Sequence, residues 1–260
     1  MTQEHHDEYN ETFVAGLEWM WGEGFMSPGG PAEVAAILDG INVAGKRVLD
    51  IGCGIGGVDI LLVKQHGAES VTGFDVEAPL IERAKKMVET AGVAEQIHCQ
   101  LVSPGPYLPF PDKQFDVVFS KDSIIHIPEK EVIYAEMFRM LKPGGQLAFS
   151  DWYGSDLPKT PEFAAWYDVL GLTFEMATIG ATVEMLKKIG FTDLDHTDRN
   201  GWYAQNIKEE LASIEGDNYP KLVEQLGEEA AAQRLKSSSL KKQVVDQGLL
   251  RPGHIRGRKP

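Results

Sequence analysis

Val48-Leu49-Asp50-Ile51-Gly52-Cys53-Gly54-Ile55-Gly56-Gly57 decides how this chain folds. An apolar run meets an acid and then turns through a cluster of glycines. That pattern predicts a buried parallel strand whose carboxyl end delivers a loop to a ligand. Glycine accepts positive φ and has no Cβ to hold the ligand away. A second apolar run, Ser70-Val71-Thr72-Gly73-Phe74, ends in Asp75, about 20 residues further on, where a carboxylate can take both hydroxyls of a ribose.

Glycine spacing does not choose the ligand. Gly52, Gly54 and Gly57 satisfy the G-x-G-x-x-G spacing of a dinucleotide site, and Gly56 adds another glycine. Asp50 discriminates better. It would repel a pyrophosphate and favour a cation. S-adenosylmethionine carries a sulfonium and an α-ammonium and has no phosphate. A dinucleotide site and a bare glycine turn remain the alternatives at this point.

Outward from the loop, strands and helices alternate. Residues 46–51, 70–75, 96–102, 115–120 and 146–151 read as strands, with helices over 58–66, 78–91 and 129–141 between them. Lys142-Pro143-Gly144-Gly145 reads as a stop signal after the last of these helices. This alternation predicts an α/β fold, a Rossmann-like, doubly wound, mostly parallel sheet of seven strands. The right-handed crossover rule puts the strand carboxyl ends on one rim. Residues 9–25 read as an aromatic-rich helix, 32–38 as another, 161–174 as a helix over the rim and 183–189 as a further helix. Residues 192–197 are a candidate sixth strand, 203–247 read as helical, and 249–256 return to the sheet.

The 260 residues carry a net charge of −14 and are 43% hydrophobic. The acidic balance argues against a nucleic-acid partner, since phosphate binding needs a basic footprint. A small or cationic substrate suits that field better. No apolar run approaches the roughly 18 residues of a membrane span. The N-terminus is polar and acidic, without the features of a secretory signal. Two cysteines, Cys53 and Cys99, suggest no disulfide framework, and a cytoplasmic location fits. No metal-binding cluster is evident; His5 and His6 read as part of a disordered end.

The pattern Asp50-x-Gly52-x-Gly54-x-Gly56 resembles the first motif of class I S-adenosylmethionine-dependent methyltransferases. Over nearly the whole chain the sequence is similar to phosphoethanolamine N-methyltransferases, the phosphobase enzymes. Three segments carry the likeness: Tyr9 with Gly22-Glu23-Gly24-Phe25-Met26-Ser27-Pro28-Gly29-Gly30; Ser120-Lys121-Asp122-Ser123-Ile124-Ile125-His126; and Leu141 to Gly145 running on to Ser150-Asp151-Trp152. The resemblance implies a helical lid over 1–44, a methyltransferase core over 45–200, and C-terminal helices with a final strand over 201–260.

It also implies roles for individual residues. Tyr9, Asp122 and His126 match the catalytic latch, with Tyr9 closing over the cofactor. Asp122 and His126 share a face if their segment is helical. Asp50, Gly52 and Gly54 match the methionine contacts, Asp75 and Val76 the ribose contacts, and Ser103 falls near the adenine. Met26 and Ser27 match a lid contact, Ser120 and Lys121 contacts near the sulfonium. The phosphate clamp departs from the family. Its arginine falls on Leu172, its tyrosines on Trp152 and Phe174, and a glutamine on Glu8; Lys241 alone keeps a match. Leucine cannot clamp a phosphate and Glu8 repels one. The scaffold therefore implies N-methylation of a small amine or amino acid, with Glu8, Trp152, Phe174 and Lys241 around the substrate. Trp19 and Trp21 fit core positions better. S-methylation of methionine or a related thioether is the near alternative, and a non-catalytic cofactor-binding protein the alternative of another class.

Overall fold

The computed structural model describes residues 9, 11–105, 107–170, 174 and 176–260. Seven strands form one sheet: β1 (Arg47–Ile51), β2 (Ser70–Asp75), β3 (Ile97–Leu101), β4 (Phe115–Lys121), β5 (Leu141–Gly154), β6 (Thr192–Asp198) and β7 (Leu250–Arg258), in the order β3-β2-β1-β4-β5-β7-β6. β1 to β5 pair in parallel, and β7 runs antiparallel to both β5 and β6. The order reverses between β1 and β4. At such a point the flanking loops diverge and leave a crevice beyond the strand ends.

Both faces of the sheet are covered, so its central strands are apolar on both sides. On one face Val48, Val71, Val117 and Ala148 bury against α2 (Gly30–Ile37), α3 (Gly57–Lys64) and α4 (Ala78–Thr90). On the other, Leu49, Phe74, Val118 and Phe149 bury against α5 (Lys130–Met140) and α7 (Ile179–Ile189). Adjacent residues thus point to opposite layers, as the period of a strand requires. The remaining helices are α1 (Glu11–Trp21), α6 (Pro161–Leu170), α8 (Asn200–Ile214), α9 (Tyr219–Leu226) and α10 (Glu228–Asp246). Trp166, Tyr203 and Val244 make a third apolar cluster from α6, α8 and α10. Trp19 packs with α8 to α10 and Trp21 against the sheet-side cluster.

Several boundaries differ from expectation. The helix expected over 161–174 ends at Leu170, and the one expected over 9–25 spans Glu11–Trp21. α7 begins at Ile179, because the Thr178 side chain caps it by accepting from Ala181 N at 3.2 Å. β5 begins at Leu141: the expected stop at 142–145 lies within the strand, where the pairing with β4 shifts register between Phe115 and Val117. The helical stretch over 203–247 is three helices, broken at Gly216 and Gly227 in left-handed conformation. Among the described residues no helix is long and apolar enough to cross a membrane.

Candidate active site

The glycine loop lies where β1 ends, and its glycines serve close backbone crossings. Gly52 N and Cys53 N both donate to Phe74 O at 2.9 Å, tying the loop to β2. Gly52 has φ +72°, and a Cβ there would stand 2.4 Å from the Ser123 side chain. Gly57 opens α3, and a Cβ on it would stand 2.2 Å from Gly24 O. The N-terminal segment around Gly24 therefore lies directly on the first turn of α3.

Asp75 ends β2 and accepts backbone N–H bonds from Gly54 at 3.0 Å, Val76 at 2.8 Å and Glu77 at 3.1 Å. Burial raises its pKa, against the three donors, which lower it. Beside it the Val76 side chain is 45% exposed and Leu101 is 51% exposed, both unusual for apolar residues at the end of a buried sheet. Ser103 is exposed just beyond β3. An acid, a hydroxyl and an uncovered apolar surface thus share one stretch of rim.

Asp50 lies beneath the loop and is only 2% exposed. Its neighbour is Asp59 on α3, fully buried, with neither carboxyl oxygen bonded to a donor. Gly73 makes room for it: a Cβ there would stand 2.2 Å from Asp59 Oδ2. Burial pushes Asp50 up to about 7, and burial with the Asp50 charge drives Asp59 well above the carboxylate range. Two acids so close hold a proton between them rather than ionise together. Sequence reasoning missed Asp59; its signal was an acid inside the apolar run of α3.

A stability prediction follows with a definite sign. The folded pair holds a proton that the unfolded chain has released above about pH 4, so stability falls as pH rises from there through about 7. One proton of difference is worth about 1.4 kcal/mol per pH unit. Asp59→Asn should donate an amide N–H to Asp50 and flatten that fall. Thermal unfolding of both proteins between pH 5 and pH 8 checks it; parallel curves would show that the pair does not titrate with folding.

At the end of β4, Ser120 is fully buried and donates to Ile51 O at 2.8 Å, so its hydroxyl faces β1 rather than the rim. Lys121, 7% exposed, points toward the N-terminal segment. Its ammonium bonds Ser27 Oγ, Pro28 O at 2.9 Å and Asp122 Oδ2 at 3.1 Å. Met26 lies against Gly54, its sulfur 3.0 Å from where a Cβ would be. Asp122 takes a left-handed φ of 56° and accepts from Ser150 Oγ at 2.8 Å. The segment that follows is a 3₁₀ turn, Ile124–His126, so the shared helical face expected of Asp122 and His126 does not form. Asp122 faces Lys121 and Ser150, while His126 is exposed on the rim.

His126 Nε2 meets Tyr9 OH at 3.3 Å, across 117 residues of sequence. The Phe174 ring lies edge-on to the imidazole, centroids 5.1 Å apart. Tyr167 OH holds Phe174 in place, donating to its carbonyl at 2.6 Å and accepting from its N–H at 2.8 Å. Trp152 lies edge-on to Tyr203 at 4.6 Å and, with Trp202, Asp122 and Ser150, borders a cavity of about 10 Å³. Glu33 borders it too, held by His254 Nε2 at 2.6 Å and Arg199 Nε at 3.2 Å. Burial raises the Glu33 pKa, but these two partners outweigh it and the net shift is downward. The Glu33–Arg199–His254 trio left no sequence signal, since its members are up to 221 residues apart. Lys241 pairs with Glu210 Oε2 at 3.1 Å on α8. Glu8 and Leu172 lie outside the described residues.

The chain is similar to known methyltransferases. Residues 49–149 match the family described as Methyltransferase domain. Phosphoethanolamine N-methyltransferase 1 of Arabidopsis thaliana is 33% identical over 211 residues, covering 80% of this chain and 41% of its own length. A structure of Haemonchus contortus phosphoethanolamine N-methyltransferase 2 with S-adenosyl-L-methionine superposes with a TM-score of 0.88 at 26% identity, covering 98% of this chain and 58% of that one. A Galdieria sulphuraria chain provisionally named a sarcosine dimethylglycine methyltransferase shares the fold, with a TM-score of 0.76 at 22% identity, covering 88% of this chain and 84% of that one. The chain spans about two fifths of the length of the curated plant relatives it matches (41% of the Arabidopsis protein).

Proposed function

Because residues 49–149 carry a methyltransferase domain within a Rossmann-like sheet, we propose that the chain transfers a methyl group from S-adenosylmethionine to the nitrogen of a small amine or amino acid. The contact between Tyr9 OH and His126 Nε2 carries this reading. It brings two titratable side chains to the rim beside the glycine loop, where an acceptor proton can be taken.

The residues fit the cofactor. Asp75 suits the ribose hydroxyls, and the exposed Val76 and Leu101 offer apolar surface that an adenine would cover. Ser103 can accept from the exocyclic amine. The Gly52–Gly54 backbone suits the methionine part, with Met26, Ser27 and Lys121 closing the N-terminal segment over it. When bound, the sulfonium supplies an electrophilic methyl group and leaves as a thioether. An ammonium acceptor has no lone pair to attack with. His126 takes its proton and, being exposed, returns that proton to solvent. Tyr9 fixes the imidazole through Nε2 and shields the reacting atoms from water. Lys121 holds the Asp122 carboxylate near the same rim.

Support for an unphosphorylated acceptor comes from the replaced clamp. Trp152 and Phe174 offer aromatic rings and no aliphatic or phenolic hydroxyl, and Lys241 is paired with Glu210. Aromatic walls suit a methylated onium through cation–π contact.

S-adenosylhomocysteine release tests this against glycine, sarcosine, dimethylglycine, ethanolamine, phosphoethanolamine and methionine. Release with an unphosphorylated amine is expected. Release with methionine alone would move the reading to sulfur, and release with phosphoethanolamine alone would restore the phosphate clamp. Asp75→Ala should weaken cofactor binding at least tenfold, about 1.4 kcal/mol, as loss of a charge-assisted hydrogen bond does. Calorimetric titration reads it, and unchanged affinity would remove Asp75 from the ribose site.

A further inference from the structure

Two cations on α10, Arg234 and Lys241, are seven residues apart and so share one helical face. They face an aromatic stripe from α1. Lys241 stands 5.6 Å from the Trp21 ring, and the Arg234 guanidinium 5.1 Å from the Phe13 ring. Their charges are treated differently. Lys241 is neutralised by Glu210, which also accepts from Trp21 Nε1 and Tyr203 OH, each at 3.1 Å. Arg234 forms no ion pair with any described residue. Burial lowers its pKa, and the more distant Glu210 charge offsets this only in part. A desolvated guanidinium with no ion pair among the described residues is an unusual feature in a chain of net charge −14.

Arg234 lines a cavity of about 790 Å³, together with Tyr9, Phe13, Val169, Leu170 and Gln233. Its walls mix apolar and polar side chains; Arg234 is the basic residue lining it and Glu11 the acidic one. Tyr9 belongs to this cavity and to the rim at once, since its hydroxyl meets His126. The Tyr9 and Phe13 rings, 5.7 Å apart, stand between His126 and Arg234.

We propose that Arg234 binds an anionic group of the methyl acceptor, set back from the reacting atom by the depth of the Tyr9–Phe13 ring pair. This rests on the methyltransferase reading and narrows its substrate class to amines bearing a remote carboxylate. A planar guanidinium takes a carboxylate through two parallel N–H bonds. The cavity far exceeds glycine and falls within the size range of sites for molecules of several linked groups, roughly 300–1,000 Å³.

A length series tests it. Glycine, β-alanine, 4-aminobutyrate and 6-aminohexanoate are titrated calorimetrically into the protein with S-adenosylhomocysteine, beside hexylamine as the uncharged-tail control and phosphoethanolamine. Affinity should rise along the series, with 6-aminohexanoate at least tenfold tighter than hexylamine. Arg234→Met keeps the aliphatic stem on Phe13 and should abolish that preference, while Arg234→Lys retains part of it. S-adenosylhomocysteine affinity should stay within twofold in both. The same Arg234 dependence with phosphoethanolamine would identify the anion as phosphate. Equal binding of 6-aminohexanoate and hexylamine, undiminished preference in Arg234→Met, or loss of S-adenosylhomocysteine binding in both variants would overturn the proposal. Arg234-dependent binding without methylation of these amines would sink the N-methylation reading and leave the anion site standing. Methylation at equal rates in wild type and Arg234→Met would do the reverse.

Discussion

His126→Ala should lower turnover on an amine acceptor by about 10² to 10⁴, the range for loss of a general base, with cofactor affinity unchanged. The imidazole lies on the exposed side of the rim, and among its partners are Tyr9 OH at 3.3 Å and the Phe174 ring. None of the backbone crossings that shape the glycine loop involves it, so cofactor binding should survive. Tyr9→Phe keeps the ring contact with Phe13 and removes only the hydroxyl. It should therefore reproduce part of the loss and shift the pH profile of turnover. An undiminished rate in His126→Ala, measured by S-adenosylhomocysteine release, would remove the base and favour thioether chemistry, which needs none.

Gly57→Ala should damage the site without touching any polar group. In an exposed helix, alanine for glycine is favourable by about 1 kcal/mol, and Gly57 has an ordinary helical φ. Packing alone reverses that sign. The new methyl would fall 2.2 Å from Gly24 O and 2.7 Å from Gly24 Cα, backbone atoms that cannot swing away. The N-terminal segment must lift, drawing Met26 off Gly54 and Ser27 off Lys121. Cofactor affinity should fall at least tenfold, about 1.4 kcal/mol, with a lower melting temperature. A melting temperature equal to or above wild type would mean that the two backbones are not in contact.

What was legible in the sequence was whatever depends on local pattern. The apolar run Val48–Ile51 with its glycines gave β1 and the loop, and the run ending in Asp75 gave β2 and the acid at its end. The alternation of strands and helices gave the parallel sheet, and Leu249 to Arg256 correctly read as a returning strand. Two of the misplaced boundaries have a physical cause. Pro143 and the glycines beside it usually end an element, but here a register shift against β4 absorbs them. Thr178 is an ordinary N-cap that lay outside the apolar repeat used to place α7.

The site was legible where a motif concentrates chemistry, and obscure where it depends on pairing across the chain. Tyr9 and His126 meet across 117 residues of sequence. Ser120 turned inward because its hydroxyl bonds a carbonyl at the end of β1, a partner fixed only once the strands align. Asp59, the Glu33–Arg199–His254 trio and Arg234 gave little or no local signal. Each is defined by what it faces: another acid, a buried histidine with a guanidinium, or the Phe13 ring at the wall of a cavity.

A single-turnover reaction with S-adenosylmethionine labelled with ¹³C at its methyl group tests the central claim most directly. The acceptors are the amines and the thioether named above, with the labelled product identified by NMR. The account predicts an N-methyl resonance on an amine acceptor, absent in His126→Ala. A label found on the sulfur of methionine, or retained on the cofactor with every acceptor, would contradict it.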